Sequence, residues 1–184
     1  MVCGWYLVCR HKCRGWWCEK LDRPNQYWFY YALNGKGLFL VLFTRRCAFG
    51  KCAGCSLHRL GCADFVTNPM IMKQVSSVLD DELTDDEKAS IREVFLSNNG
   101  SIFDRRSMPA AALLYACSML VHNLPKLNRI VFETRAEFVD PSILSLLRET
   151  LDACGRRIEI EIAIGVEIFD ERKPHPVFLD TNLG

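Results

Sequence analysis

The chain has 184 residues, 49% of them apolar and 24% charged, with a formal net charge of +1. That length accommodates one compact domain, and the composition excludes a disordered tail, a collagen-like chain and a low-complexity linker. Near-neutral charge supplies no global attraction for nucleic acid or an anionic membrane surface. No apolar run reaches the ~18 residues that a membrane helix needs. Ten cysteines stand out: four in residues 3–18, four in 47–62, and Cys117 and Cys154 alone.

The opening segment, MVCGWYLVCRHKCRGWWC, is interrupted by Arg10, His11, Lys12 and Arg14 and has no signal-peptide core. The expected compartment is the reducing cytoplasm, where clustered cysteines point to metal or redox chemistry rather than disulfides. Residues 1–35 carry Trp5, Trp16, Trp17 and Trp28 without sustained periodicity and read as an irregular extension. Within it Cys3, Cys9, Cys13 and Cys18 match no zinc spacing, and the basic and aromatic residues suit a contact with single-stranded nucleic acid by composition alone.

From residue 36 to 184 the pattern is orderly. GLFLVLF (37–43) is a continuous apolar run, as in a buried parallel strand. Residues 44–67 form a cysteine-bearing loop, and a helix follows from Asn68, with Pro69 in its first turn, to Leu79. The acidic stretch 80–88 reads as a solvated connection. A second strand (92–97) leads into NNGSIFDRR; Ser107 is the expected N-cap of a helix, with Pro109 in its first turn, running to His122. A third strand (129–133) precedes a helix opened by Asp140-Pro141. Its stripe is Ile143, Leu144, Leu147 and Leu151, and Gly155 stops it. The fourth strand, 157–167, alternates cleanly. Strand–helix repetition predicts an α/β fold: a partial (β/α) barrel of about four parallel βα units.

Strand parity locates the chemistry. In the fourth strand Ile158, Ile160, Ile162 and Ile164 share the face that meets helices; Glu159, Glu161, Ala163, Gly165 and Glu167 share the other. Carboxylates on that second face suit a wet or ligand-filled interior rather than a dry sandwich. Glu133 and Arg135 approach the end of the third strand together, either as a structural ion pair or as ligand-facing groups. Cys117 and Cys154 sit in apolar helical contexts and read as packing.

Directly after the first strand, TRRCAFGKCAGCSL places Cys47, Cys52 and Cys55 at C-x4-C-x2-C spacing. Three thiolates on one loop suit a [4Fe–4S] cluster with one iron open; Cys62 or His58 could add a further ligand, and zinc stays an alternative. With VFLSNNGSIFD, VFETRAEFVD and EIAIGVEIFDE following in order, the sequence resembles the radical S-adenosylmethionine superfamily. It looks closest to the branch with the elongator catalytic subunit and the archaeosine-synthase radical subunit.

The resemblance implies that Cys47, Cys52 and Cys55 hold the cluster and that S-adenosylmethionine is the cofactor. It implies that Asn98, Asn99, Gly100 and Ser101 stand in place of the family's glycine-rich motif. Glu133, Arg135, Gly165 and Glu167 would be its remaining cofactor-binding positions. The implied activity is oxidoreductase-type reductive cleavage to a 5′-deoxyadenosyl radical, with an electron donor as partner and tRNA as a substrate by analogy. The family's commonest spacing is C-x3-C-x2-C, one residue shorter, with an aromatic where Gly54 stands. A full family core has six βα units of ~30 residues each, and this chain ends just after the fourth strand. The expectation is a fragment or a natural short form, with activity open to loss through truncation. The alternative reading is a non-catalytic zinc or iron–sulfur module on the same scaffold.

Overall fold

The apolar and aromatic runs of this chain are arranged as strands, and the first lies earlier than expected. The computed structural model describes residues 21–50, 55 and 57–165, leaving aside the side chain of His58. Strand β1 (Gln26–Ala32) pairs antiparallel with β2 (Gly35–Leu42) through a two-residue connection, Leu33-Asn34, with Gly35 at φ 120°. Parallel strands β3 (Ile91–Asn98), β4 (Arg129–Thr134) and β5 (Glu159–Ile164) follow, so the sheet runs β1-β2-β3-β4-β5. The α/β class and its four successive parallel strands are as expected. The hairpin strand is an addition to that reading.

After the short helix α1 (Leu57–Leu60), helix α2 (Asn68–Ser77), with Pro69 in its first turn, packs on α4 (Ala110–Asn123), and α4 packs on α5 (Pro141–Ala153). Against them lies one face of the sheet, where Leu38, Leu40, Val94, Leu96, Ile130 and Phe132 are wholly buried. Ile158 is buried in this core and Ile160 and Ile162 pack against it, whereas Ile164 is 41% exposed. Cys117 is fully buried in α4, where burial pushes its thiol pKa upward, and Cys154 packs on the same core.

Two local expectations are corrected. The acidic segment 80–88 is not a plain connection. It contains a π-turn (Val78–Glu82) and a short helix α3 (Asp85–Ser90), anchored by buried Leu83. Thr84 and Glu87 form a capping box, and the aspartates of the first turn complement the helix dipole. Nor does Ser107 cap α4, which starts at Ala110 after Pro109. The Ser107 hydroxyl instead donates to the carbonyls of Ser101 and Asp104, folding the preceding loop upon itself.

The opposite face of the sheet carries no helix among the described residues, and the pairing register arranges it in rows. Tyr30, Gly37, Glu93, Arg129 and Glu159 align across the N-terminal part of the parallel strands. Trp28, Phe39, Phe95, Val131 and Glu161 align across the middle. There Trp28 stacks on Phe39 at 4.2 Å and Phe39 on Phe95 at 4.4 Å between ring centroids. In the first row Tyr30 donates to Glu93, and Arg129 reaches Glu93, Glu159 and Glu161 at 3.4, 3.0 and 3.1 Å. Burial, reinforced by the bonded Glu93, pushes the Tyr30 phenol above its ordinary pKa. Glu159 and Glu161 thus lie on the open face that parity assigns them, with Arg129 as their counter-ion.

Candidate functional site

The cysteine loop leaves the sheet where β2 runs out of strand partners, and side chains take over the backbone's hydrogen bonds. Gln74 of α2, wholly buried, accepts from Phe43 N–H at 2.7 Å and donates to the carbonyls of Phe43 and Leu21 at 2.8 and 2.9 Å. One residue on, Thr44 N–H donates to Asn99 Oδ1 at 3.0 Å. Arg45 and Cys62 form a parallel bridge in which Arg46 N–H donates to Cys62 O and Cys62 N–H to Thr44 O. Cys47 N–H then donates to Asn99 O at 3.0 Å. Both ends of the loop are therefore tied down at the C-terminal edge of β2 and β3.

Close packing needs glycine at this junction. A Cβ on Gly61 would lie 2.7 Å from Arg46 Cα and 2.8 Å from Asn99 Cβ, inside any normal contact. Gly100 stands against the Cys47 backbone, where a Cβ would be 3.3 Å from Cys47 Cα. Its own conformation is held by Asn98, whose Oδ1 accepts Gly100 N–H at 2.9 Å.

The turn after β3 is joined to the end of β4. Ser101 and Thr134 share a hydroxyl–hydroxyl bond of 2.6 Å, and Ser101 Oγ accepts Arg135 N–H at 2.9 Å. Ser97 donates to Glu133 at 2.5 Å. The guanidinium of Arg135 pairs with Glu137 at 2.6 Å and lies 4.6 Å over the Phe49 ring, so the ion pair formed is not the Glu133–Arg135 one. Arg106 grips buried Asp104 with two bonds of 2.9 and 3.0 Å, and that carboxylate raises the arginine's pKa further.

Together these groups enclose a cavity of about 290 Å³ lined by Cys47, Phe49, Ser101, Asp104, Arg106 and Arg135, with Glu137 and Phe138 at its side. It sits beyond the carboxyl ends of the parallel strands, where α/β folds gather ligands. The wall offers two guanidinium–carboxylate pairs and two aromatic rings, so it suits a ligand with a zwitterionic part and a flat ring.

Of the residues singled out from sequence, Cys47, Asn98, Asn99, Gly100, Ser101, Glu133 and Arg135 meet at this edge. Cys55 is partly buried in the same loop. Gly165 follows β5 and is exposed, with open space where a Cβ would be. Cys52 and Glu167 lie outside the described residues, as do Cys3, Cys9, Cys13 and Cys18. Among the described residues no three Cys, His, Asp or Glu side chains are grouped as a metal site. Cys62 is buried, and burial raises its thiol pKa; its backbone serves the bridge that closes the loop. Sequence reasoning missed Phe49, Asp104, Arg106 and Phe138. The signal for two of them was the FDRR that follows NNGSI, where an aspartate and an arginine two residues apart can pair around one turn. No described helix is long and apolar enough to cross a membrane.

No family model matches the chain. An uncharacterized protein of Methanocaldococcus jannaschii is 29% identical over 143 residues, which are 74% of this chain and 37% of that protein. The chain thus spans little more than a third of that relative's length. Among solved structures, the fold is similar to that of a queuine lyase from Clostridium spiroforme bound to S-adenosylmethionine and queuine. The TM-score is 0.55 and the identity 21%, over 81% of this chain and 56% of that one. The likeness establishes the fold: a mixed α/β architecture shared with an enzyme that binds a sulfonium nucleoside.

Proposed function

We propose that this chain is the cluster- and cofactor-binding part of a radical S-adenosylmethionine protein. The observation that carries the reading is the junction itself. The cysteine loop emerges at the end of β2, is pinned to Asn99 and Gly100 at the end of β3, and borders a cavity shared with Arg135 at the end of β4. The fold's likeness to an enzyme bound to S-adenosylmethionine supports it.

The residues present fit both groups. Cys47 and Cys55 are free and partly exposed, and the amide of Asn99 is buried beside the loop with no acceptor among the described residues. Cys47, Cys52 and Cys55 would hold a [4Fe–4S] cluster, leaving one iron for the cofactor. Asn98, Asn99, Gly100 and Ser101, with Glu133 and Arg135, would receive S-adenosylmethionine, and Gly165 and Glu167 would extend that site. Bound together, the two groups would supply reductive cleavage of the sulfonium carbon–sulfur bond, with one electron from an external donor. The chain's own residues position and shield. Gly100 keeps the path beside Cys47 clear, Arg106–Asp104 and Arg135–Glu137 present paired charges, and Phe49 and Phe138 give the cavity wall its aromatic surface.

Anaerobic reconstitution with iron and sulfide tests the reading. The expected result is a brown protein with about four irons per chain by design of such a cluster. After dithionite reduction its paramagnetic spectrum should change on adding S-adenosylmethionine, with 5′-deoxyadenosine released if this part of the protein suffices for cleavage. A colourless protein that binds one zinc, with no spectral response to the cofactor, would overturn it in favour of a structural metal module. The substrate, with a nucleobase of tRNA as the class suggested by resemblance, and the electron donor follow from this reading as proposals.

A further inference from the structure

The two edges of the sheet are built differently. β5 carries Glu159 and Glu161, the kind of charge that keeps an edge strand from pairing with another chain. At the other edge β1 reads QYWFYYA, with five aromatic residues, no charge and no proline, in unbroken antiparallel register with β2. Natural edge strands of this length and apolarity are normally blunted or covered. Among the described residues β2 is the only strand that β1 pairs with. The two-residue connection makes Ala32 and Gly35 a hydrogen-bonded pair, so alternation turns the N–H and C=O groups of Tyr27, Phe29 and Tyr31 away from β2.

Three features of this edge fit one another. Trp28 ends the ring ladder that runs from Phe95 through Phe39, and it is 42% exposed. Tyr31, near the hairpin end of β1, is 85% exposed. A cavity of about 340 Å³ lies where β1 begins, against the turn after α2, lined by Arg23, Pro24, Tyr27, Trp28, Val78 and Glu82. Glu82 there accepts from Arg23 at 2.5 Å and from Tyr27 at 3.1 Å, so its charge is already met. Tyr27 and Tyr31 share one face of β1. An antiparallel neighbour sets the end of its strand against the beginning of this one. The same strand, inverted, therefore brings a protruding Tyr31 to the cavity and a second Trp28 to the bare end of the ladder. Residues 25–31 are uncharged, so this pairing opposes no like charges, whereas an acidic or basic peptide would find no counter-charge along the strand.

We infer that β1 is an interface between two copies of this chain, paired antiparallel about a twofold axis at Trp28. In that register Trp28 faces the second copy's Trp28, Phe29 lies opposite Tyr27, and Tyr31 lies opposite Asn25 beside the cavity. The two five-stranded sheets become one continuous sheet, and each cavity receives a tyrosine from the other copy. The inference stands on the sheet edge and does not depend on the cluster reading.

Sedimentation of the full chain under reducing conditions, across a concentration series, should show a reversible dimer. Residue-resolved hydrogen exchange should find the Trp28 and Tyr30 amides protected throughout, with those of Tyr27, Phe29 and Tyr31 gaining protection as the dimer fills. Tyr31→Lys, at an exposed position, should weaken association by about tenfold or more. Trp28→Glu and Trp28→Lys should each be monomeric, and mixing the two should restore a dimer, because this register sets position 28 against itself. A chain that stays monomeric at every concentration overturns the inference, as does a dimer that leaves those three amides unprotected. Protection of the three amides in a monomer also overturns it, since another part of the chain then occupies the edge. The exchange pattern is read in the unaltered chain, so the outcome is decisive even if a Trp28 variant does not fold.

Discussion

At the scale of single residues, this protein's loop junction depends on how closely its backbone segments pack. Gly61 lets Arg46 and Asn99 approach, so Gly61→Ala should force the stems apart. A loss of about 1–3 kcal/mol is expected, read as a lower denaturation midpoint at unchanged m-value. Cys62 lies in the same bridge, and the distinction between its backbone and its thiol is experimentally accessible. Cys62→Ala should keep the iron content of the reconstituted protein, whereas Cys47→Ala should abolish it. Equal loss in both would make Cys62 a ligand.

At the scale of elements, ends matter more than middles. Gln74 of α2 stands in for a missing strand at Phe43 and Leu21. Gln74→Leu leaves those buried groups unpaired and should cost about 3 kcal/mol or more, measured by urea unfolding. The N-terminus of α3 gives a pH signature. The Thr84 backbone and hydroxyl donate to Glu87 and hold its pKa below the ordinary 4.5. The sign follows from linkage: this contribution is complete above the unfolded value and is lost as pH falls through the lower folded one. Thr84→Ala removes the hydroxyl bond and keeps the larger backbone one, so its acid titration of stability should be only slightly shallower across that interval, and a steeper slope would refute the assignment.

The element scale also shows why some boundaries were legible and others were not. The strand 157–167 announces itself by alternation, and β5 places its isoleucines and glutamates on the expected faces. Gln26–Ala32 has aromatics on both faces, so it lacks a period of two; only Asn34-Gly35 between two β-prone runs hinted at a hairpin. Ser107 looked like a cap because it precedes Pro109, yet its hydroxyl found better partners in the loop behind it.

At the scale of the whole molecule, the sheet separates a dry side from an open one. Helices cover the first; rows of aromatic and charged groups occupy the second. Arg129 neutralises carboxylates from β3 and β5 simultaneously, and Glu93 among them is buried. Arg129→Gln should lower the unfolding temperature, and adding Glu161→Gln should recover part of the loss, because one repelling carboxylate is then removed. Additive effects would count against the cluster. A shallow cavity at the strand ends completes this picture, since its walls come from the loops after β2, β3 and β4.

Local pattern by itself determined the α/β class, the order of the parallel strands, which face of β5 carries its acids, and the concentration of cysteines after the first parallel strand. Those features depend on side-chain alternation and spacing along a continuous segment, which survive without knowledge of neighbours. Only the tertiary structure decided the hairpin at the sheet edge, the pairing of Arg135 with Glu137, the grip of Arg106 on Asp104, and Arg129 as the counter-ion of Glu159 and Glu161. It alone showed that Asn99 ties the backbone of Thr44 and Cys47 at the base of the loop. Each of these is a choice between competing partners, settled by register and burial across strands that are distant in sequence.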